Sequence, residues 1–159
     1  MNDAADPRPA RRVAILQSNY IPWKGYFDII HDVDLFIFHD DLQYTKDDWR
    51  NRNQIKTAGG TCWLTIPVGR DEKRLICDVP LPEKSWAREH WRILKAAYHQ
   101  APHFARYQSF FEEIYLGIDW RTLSELNQTM ITRIARELLG LRTEFDDSRR
   151  YSLTTRKQE

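Results

Sequence analysis

Two short segments of this sequence concentrate the side chains that could do chemistry. The first is the tryptophan loop, residues 18–25 with the sequence SNYIPWKG, which follows Gln17. Lys24 supplies a point charge that suits a phosphate or a carboxylate. Tyr20 and Trp23 offer ring faces on which a base or a sugar can stack. The loop has neither the P-loop pattern nor the dinucleotide-binding glycine pattern, so it specifies no nucleotide.

The second is the polar segment, residues 40–56 with the sequence DDLQYTKDDWRNRNQIK. Here Arg50 and Arg52 alternate with Asn51 and Asn53. Residues two apart share a face of an extended chain, so both arginines are predicted to point one way and both asparagines the other. Two guanidinium groups on one face can hold a diphosphate or a carboxylate, and the asparagine pair can recognise amides or hydroxyls.

Each segment also has a purely structural interpretation. In the tryptophan loop, Tyr20 and Trp23 would plug the edge of a sheet and Lys24 would be solvated. The polar segment would be a solvated loop with local ion pairs, each worth roughly 0–1 kcal/mol. The residues available for such pairs are Asp47, Asp48, Arg50 and Arg52.

The predicted binding set draws on both segments, so we expect them to line one pocket. It comprises Gln17, Asn19, Tyr20, Pro22, Trp23, Lys46, Trp49, Arg50, Asn51, Arg52 and Asn53. In this hypothesis Lys24, Arg50 and Arg52 bind the anionic part of the ligand.

Carboxylates beside such a pocket suggest general-base catalysis. Asp40 and Asp48 are the candidates for polarising or deprotonating a substrate amine or hydroxyl, and Lys24 completes the predicted catalytic set. His39, Asp40 and Asp41 are consecutive, but alternate strand residues point to opposite faces, so we predict no metal site. The other histidines are interpreted as ordinary surface or capping residues. They are His31, His90, His99 and His103.

A strand–loop–helix–strand unit is predicted to position the tryptophan loop. Residues 12–17 are expected to form a buried strand, residues 26–33 a short helix and residues 34–40 a second strand. This unit has the length of a βαβ crossover. If the strands are parallel, the tryptophan loop and Asp40 lie together at the carboxyl edge of the sheet, where open α/β sheets place their ligands.

A β-hairpin and three helices are predicted to follow. The hairpin pairs residues 62–68 with residues 74–81, and the first helix, residues 85–100, is capped by Ser85. The next two helices cover residues 102–117 and 122–138, and a last strand covers residues 143–145. Thr122 and Glu125 form a capping box for the last helix, which Gly140 terminates. The fold class is therefore α/β: a small, mainly parallel sheet with a Rossmann-like βαβ start, a β-hairpin and a helical second half.

Composition narrows the class of protein. The 159 residues carry a net charge of +1 from 24 basic and 23 acidic side chains, which provides no global field for a nucleic acid. No apolar run approaches the roughly 20 residues of a membrane span, and no apolar stretch typical of a secretory signal is present. We therefore predict a cytoplasmic protein without a membrane span. Cys62 and Cys77 lie in apolar runs and are interpreted as buried, reduced thiols.

Separate predictions concern the two ends of the chain. Residues 1–11 are predicted to form a disordered tail. Residues 155–158 have a capping-box pattern with no helix behind it, which suggests a missing C-terminal portion. The alternative is a frayed tail.

Three stretches resemble the WbqC-like family. They are VAILQSNYIPWKGYFDII, DLFIFHDDLQYTKDDWRNRNQIK and CWLTIPV, with Q-x-x-Y-x-P-W-x-G-Y-F and D-D-x-Q-Y-x-K-x-D-W-R-N-R-N as the most specific motifs. The likeness covers residues 12–159 and implies a single domain there. Family members usually extend further, so the resemblance also implies a domain that is truncated at its C-terminus.

The resemblance implies an enzyme of bacterial surface-polysaccharide biosynthesis, such as that of O-antigen, or of a related pathway. Its expected substrates are an activated amino or acyl group and a phosphate-bearing nucleotide-sugar or amino-sugar. The layout is similar to nucleotidyltransferase folds, but Trp23-Lys24-Gly25-Tyr26 stands where those carry His-x-Gly-His. ATP or another nucleotide with Mg²⁺ remains an open cofactor. The alternatives are a non-catalytic binding module and an oligomer that packs through the aromatic-rich helix at residues 102–116.

Overall fold

The computed structural model describes residues 10–151. The predictions for residues 1–9 of the tail and for the capping-box pattern at residues 155–158 lie outside the described residues. Strands β1 (Val13–Leu16) and β2 (Leu35–Phe38) are joined by helix α1 (Lys24–His31), and strand β5 (Glu144–Asp147) completes a sheet in the order β1-β2-β5. All its pairings are parallel, which confirms the predicted βαβ opening.

One face of this sheet is covered by helices. Phe36, Phe38 and Phe145 pack there against Tyr26 of α1 and Ile131 of a later helix. The prediction of a buried first strand is wrong in part. Because β1 is an edge strand, the side chains on its other face are exposed: Val13 by 47% and Ile15 by 54%.

The hairpin exists, but its strands are not the predicted pair. Strand β3 (Arg52–Thr57) pairs with β4 (Gly60–Thr65) in an antiparallel ladder, so the end of the polar segment supplies a strand. Only Ala58 and Gly59 separate them, and Gly60 has a φ of +118° that a tight turn favours. Because this tight turn brings β3 next to β4, β3 and not the predicted segment 74–81 is the partner of β4. That segment instead contains the short 3₁₀ turn Ile76–Asp78.

The helical second half contains α2 (Ser85–Tyr98), α3 (Phe104–Glu112) and α4 (Leu123–Arg133). Helices α3 and α4 each end in a π-helical turn, Glu113–Gly117 and Ile134–Leu138. Within residues 10–151, no helix is long and apolar enough to cross a membrane. Three aromatic side chains of α3, Phe104, Phe110 and Phe111, are partly buried against the larger of two cores.

The predicted capping residues are confirmed for α4 and are wrong for α2. Thr122 Oγ1 accepts a hydrogen bond from Glu125 N at 3.1 Å, as a capping box requires, although the Glu125 carboxylate returns to Arg121 N rather than to Thr122 N. Gly140, with a φ of +66°, ends the helix as predicted. Ser85 is not the N-cap of α2, because it is itself the first helical residue. Lys84 occupies the N-cap position and forms no capping hydrogen bond with its side chain.

Candidate functional site

The tryptophan loop and the polar segment line one cavity of about 160 Å³, as the sequence predicted. We call it the tryptophan cavity. Its lining residues are Asn19, Pro22, Trp23, Trp49 and Asn53. A backbone hydrogen bond of 2.9 Å from Tyr20 N to Trp49 O joins the two segments beside it.

Arg50 holds the tryptophan loop in place. Its Nη1 donates to Asn19 Oδ1 and its Nη2 to Gln17 Oε1, while Asp48 Oδ2 lies 3.7 Å from Nη2. Its carbonyl accepts a hydrogen bond from Asn127 Nδ2 at 2.8 Å. The Arg50 side chain is only 14% exposed. The predicted role of Arg50 as a ligand for the substrate anion is therefore corrected to a positioning role.

The predicted two-faced ladder of arginines and asparagines does not form. Arg50 and Asn51 lie in the turn that precedes β3, so the two-residue period of a strand begins only at Arg52. Asn51 is buried and its Nδ2 donates to Ile66 O at 2.9 Å, which makes it a structural residue rather than a substrate ligand. Arg52 lies over the exposed Trp63 ring instead, 4.5 Å from the ring centroid.

Ile21 carries backbone strain at the bend of the tryptophan loop. Its φ of +47° is in the left-handed region, which a β-branched residue rarely adopts, at a cost of roughly 1–2 kcal/mol. The Nδ2 of Asn53 donates to the carbonyls of Ile21 and Tyr20 and thereby holds this conformation. Such strain concentrates at functional sites. Here it turns the chain so that Trp23 stands at the mouth of the cavity.

Trp23 is 69% exposed, and its ring lies against Gly25. A Cβ atom at position 25 would lie 2.0 Å from two carbon atoms of that ring, so the close approach requires glycine. Lys24, the exposed first residue of α1, takes part in none of the ion pairs formed within residues 10–151. Trp23 and Lys24 are both exposed, and their role as ligand-binding residues stays a prediction.

Tyr20 is a core residue and not a stacking platform, which corrects its predicted role. It is fully buried, and its hydroxyl is 2.6 Å from the Tyr115 hydroxyl and 2.8 Å from His90 Nδ1. Burial lowers the pKa of His90 to about 4, so the imidazole is neutral at pH 7. His90 is therefore not a surface histidine. It lies on the same helical face as Trp86, and that spacing of four residues was the signal available in the sequence.

Asp40 lies at the carboxyl edge of the sheet as predicted, but it is fully buried. It accepts hydrogen bonds from Ser18 N at 2.8 Å and Ser18 Oγ at 2.7 Å, and from Gln128 Nε2 at 2.9 Å. Ser124 Oγ is a fourth donor. Its predicted catalytic role is corrected to one of positioning, because no oxygen faces the cavity mouth and the carboxylate fixes the start of the tryptophan loop. Ser124 and Gln128, four residues apart on α4, were missed because nothing local links them to Asp40.

Asp48 is the carboxylate that stays accessible, with 32% of its side chain exposed. Burial alone would raise its pKa, but hydrogen bonds from Thr45 Oγ1 and Trp49 N, with the charges of Arg50 and Arg52, lower the pKa of Asp48 below its ordinary value. It is therefore ionised at neutral pH. Such a group accepts hydrogen bonds from an ammonium or hydroxyl well and is a weak general base.

Lys46 is not brought to the cavity, which corrects its place in the predicted set. Its Nζ lies 3.3 Å from the Glu72 carboxylate on the loop that follows β4, and it does not line the cavity. Within the part of the chain that the structure describes, no three histidine, cysteine or acidic side chains come together to hold a metal.

A larger cavity lies at the carboxyl ends of β2 and β5. That larger cavity, of about 300 Å³, has its arginines paired, Arg150 with Asp146 at 3.0 Å and Arg133 with Glu137 at 2.7 Å. In the tryptophan cavity the amide nitrogen of Asn19 and both indole nitrogens form no hydrogen bond within residues 10–151. These groups are free for a ligand.

The family model described as the WbqC-like protein family matches residues 17–159, a range that contains both segments. The uncharacterized protein Rv1507c of Mycobacterium tuberculosis (strain ATCC 25618 / H37Rv) is 45% identical over 152 residues. The aligned region covers 94% of this chain and 65% of that protein, so the chain spans about two thirds of the length of this curated relative. No solved structure matches the chain.

Proposed function

Because this chain belongs to the WbqC-like protein family, we propose that it binds a nucleotide-sugar or amino-sugar in the tryptophan cavity. We further propose that it serves as a transferase of an activated amino or acyl group in bacterial surface-polysaccharide or related biosynthesis. The cavity supports the first part of this proposal, and family membership is the ground for the second.

The observation that carries the proposal is the pairing of two exposed indoles with the free amide nitrogen of Asn19 around one small cavity. Trp23 and Trp49 are 69% and 50% exposed, which is unusual for tryptophan. The apolar face of a sugar ring packs on an indole, and its hydroxyls bond to amides such as that of Asn19. Pockets for drug-sized ligands measure roughly 300–1,000 Å³, so a smaller cavity suits a single ring-sized group.

Two charged residues adjoin lining residues in the sequence, Lys24 after Trp23 and Asp48 before Trp49, and they suit the rest of such a substrate. Lys24 is placed to attract a negatively charged group. The ionised carboxylate of Asp48 is suited to hold the ammonium or a hydroxyl of an amino-sugar. Arg50 and Asp40 act through the loop that they fasten and do not touch the ligand in this proposal.

Calorimetry with purified protein tests the binding. Thermal shift first screens UDP-, GDP-, CMP- and dTDP-sugars together with glucosamine. We expect at least one to stabilise the protein, and Trp49→Ala to weaken its binding about 10-fold, because the substitution removes one wall of the cavity. Leu139→Ala is the matched control, since Leu139 is 51% exposed and follows the π-helical turn that ends α4. No stabilising ligand, or equal affinity in the two variants, would contradict the proposal.

A second candidate function is a binding module without chemistry. It is favoured by the enclosure of Asp40 and the lowered pKa of Asp48, which leave no strong general base at the cavity. Incubation of the bound sugar with acyl donors, followed by mass spectrometry, separates the two functions. A product that disappears in Asp48→Asn while binding persists supports the enzyme. Binding without any product supports the module.

A further inference from the structure

The outer face of the β3–β4 hairpin is polar, cationic and aromatic. Arg52, Gln54 and Lys56 alternate along β3 and therefore share one face. Trp63 lies directly opposite Gln54, and Thr65 opposite Arg52. Neither strand contains an aspartate or a glutamate.

This face continues the tryptophan cavity. The ring centroid of Trp63 is 5.7 Å from that of Trp49, which lines the cavity, and Trp63 is itself 44% exposed. The exposed indoles of Trp23, Trp49 and Trp63 thus mark one continuous surface, and a joined set of exposed aromatic rings is a feature of ligand-binding surfaces.

The hairpin face carries local positive charge on a chain whose net charge is only +1. Arg52 has one carboxylate neighbour, Asp47 at 3.3 Å, and Lys56 belongs to no ion pair within residues 10–151. A guanidinium over an indole, with a lysine on the same face of the strand, suits phosphate groups attached to an aromatic base. A cavity of about 160 Å³ cannot enclose a whole nucleotide-sugar, so such a ligand must extend onto a neighbouring surface.

We propose that the outer face of the hairpin is a second subsite, which binds the phosphate groups and base of a nucleotide whose sugar enters the tryptophan cavity. Arg52 and Lys56 bind the phosphates, the base packs against Trp63, and the Gln54 amide bonds to the base edge. This inference rests on the proposed function and narrows its substrate class to nucleotide-linked sugars.

The test compares three probes by calorimetry: the nucleotide-sugar that stabilises the protein most, its nucleoside diphosphate and its free sugar. We expect the nucleotide-sugar to bind tightest. Arg52→Gln combined with Lys56→Gln should weaken the nucleotide-sugar and the diphosphate about 10-fold and leave the free sugar unchanged. Trp63→Ala should weaken the same two probes. Arg88→Gln combined with Lys95→Gln, two exposed cations of α2, is the matched control and should change nothing.

The outcomes for the subsite and for the proposed function are distinct. If the free sugar binds as tightly as the nucleotide-sugar, or if the hairpin variants match the control, the subsite is overturned. Sugar binding that still depends on Trp49 would then leave the proposed function standing. If instead the diphosphate binds through Arg52 and Lys56 but no sugar enters the cavity, the subsite stands and the proposed function fails. Circular dichroism of each variant confirms that it is folded.

Discussion

The two ends of the tryptophan loop differ in character. Ser18 and Tyr20 are fully buried and are fastened by polar networks, one centred on Asp40 and the other on His90. Trp23, at the other end, projects into solvent. One short motif therefore contains a part that fixes the backbone and a part that is exposed to solvent.

The polar segment is divided in the same way. Arg50 and Asn51 point inward and bond to the tryptophan loop and to Ile66. Trp49 and Arg52 lie at the surface around the cavity and the hairpin. Side chains with similar chemistry thus have different surroundings. Arg50 is held inside by hydrogen bonds to the tryptophan loop, whereas Arg52 lies at the surface. Three substitutions test this division.

Asp40→Ala should have the largest effect on stability. It removes the shared acceptor of four donors from Ser18, Ser124 and Gln128, of which the Gln128 amide keeps a further acceptor in Asp147 at 3.1 Å. We expect a loss of about 3–5 kcal/mol in the free energy of unfolding, measured by urea denaturation. Asp41→Ala, at a neighbouring carboxylate that is 31% exposed, is the control and should cost about 1 kcal/mol. Equal losses would show that Asp40 is not a buried anchor.

His90 should make stability depend on pH. Its pKa is about 4 in the folded protein against an ordinary 6.5, so the unfolded chain takes up the proton first as pH falls. The contribution is fully present above pH 6.5 and is lost as pH falls towards 4, with a full difference of about 3 kcal/mol. His90→Gln can keep a hydrogen bond to the Tyr20 hydroxyl but does not titrate. The wild type should lose about 3 kcal/mol more than this variant over that interval, and parallel pH profiles would contradict the burial of a neutral His90.

Gly25→Ala should have the smallest effect on stability but a clear effect on the site. The added Cβ displaces the exposed Trp23 ring, while alanine suits a helix better than glycine, so the free energy of unfolding should change by less than about 1 kcal/mol. The affinity for the sugar ligand should fall about 5-fold. Gly59→Ala is the control, since nothing lies within 4 Å of a Cβ there. Unchanged affinity in Gly25→Ala would remove Trp23 from the site.

Much of the architecture could be predicted where the signal is local. The parallel strands around α1, the cap at Thr122 and the stop at Gly140 follow from hydrophobic runs and backbone preferences of neighbouring residues. The hairpin partner of β4 was mispredicted because an apolar run at residues 74–81 looks like a strand. Its residue Ile76 is instead buried in a 3₁₀ turn.

The sequence by itself predicted that the two segments meet, because both follow strands of one parallel sheet. Only the tertiary structure decided which of their side chains remain free. From the sequence alone, Asp40 is as good a candidate site residue as Asp48. The same holds for Tyr20 compared with Trp23 and for Arg50 compared with Arg52. Their availability depends on donors and acceptors from distant helices and loops, and the distance between such partners is set by folding rather than by any local pattern.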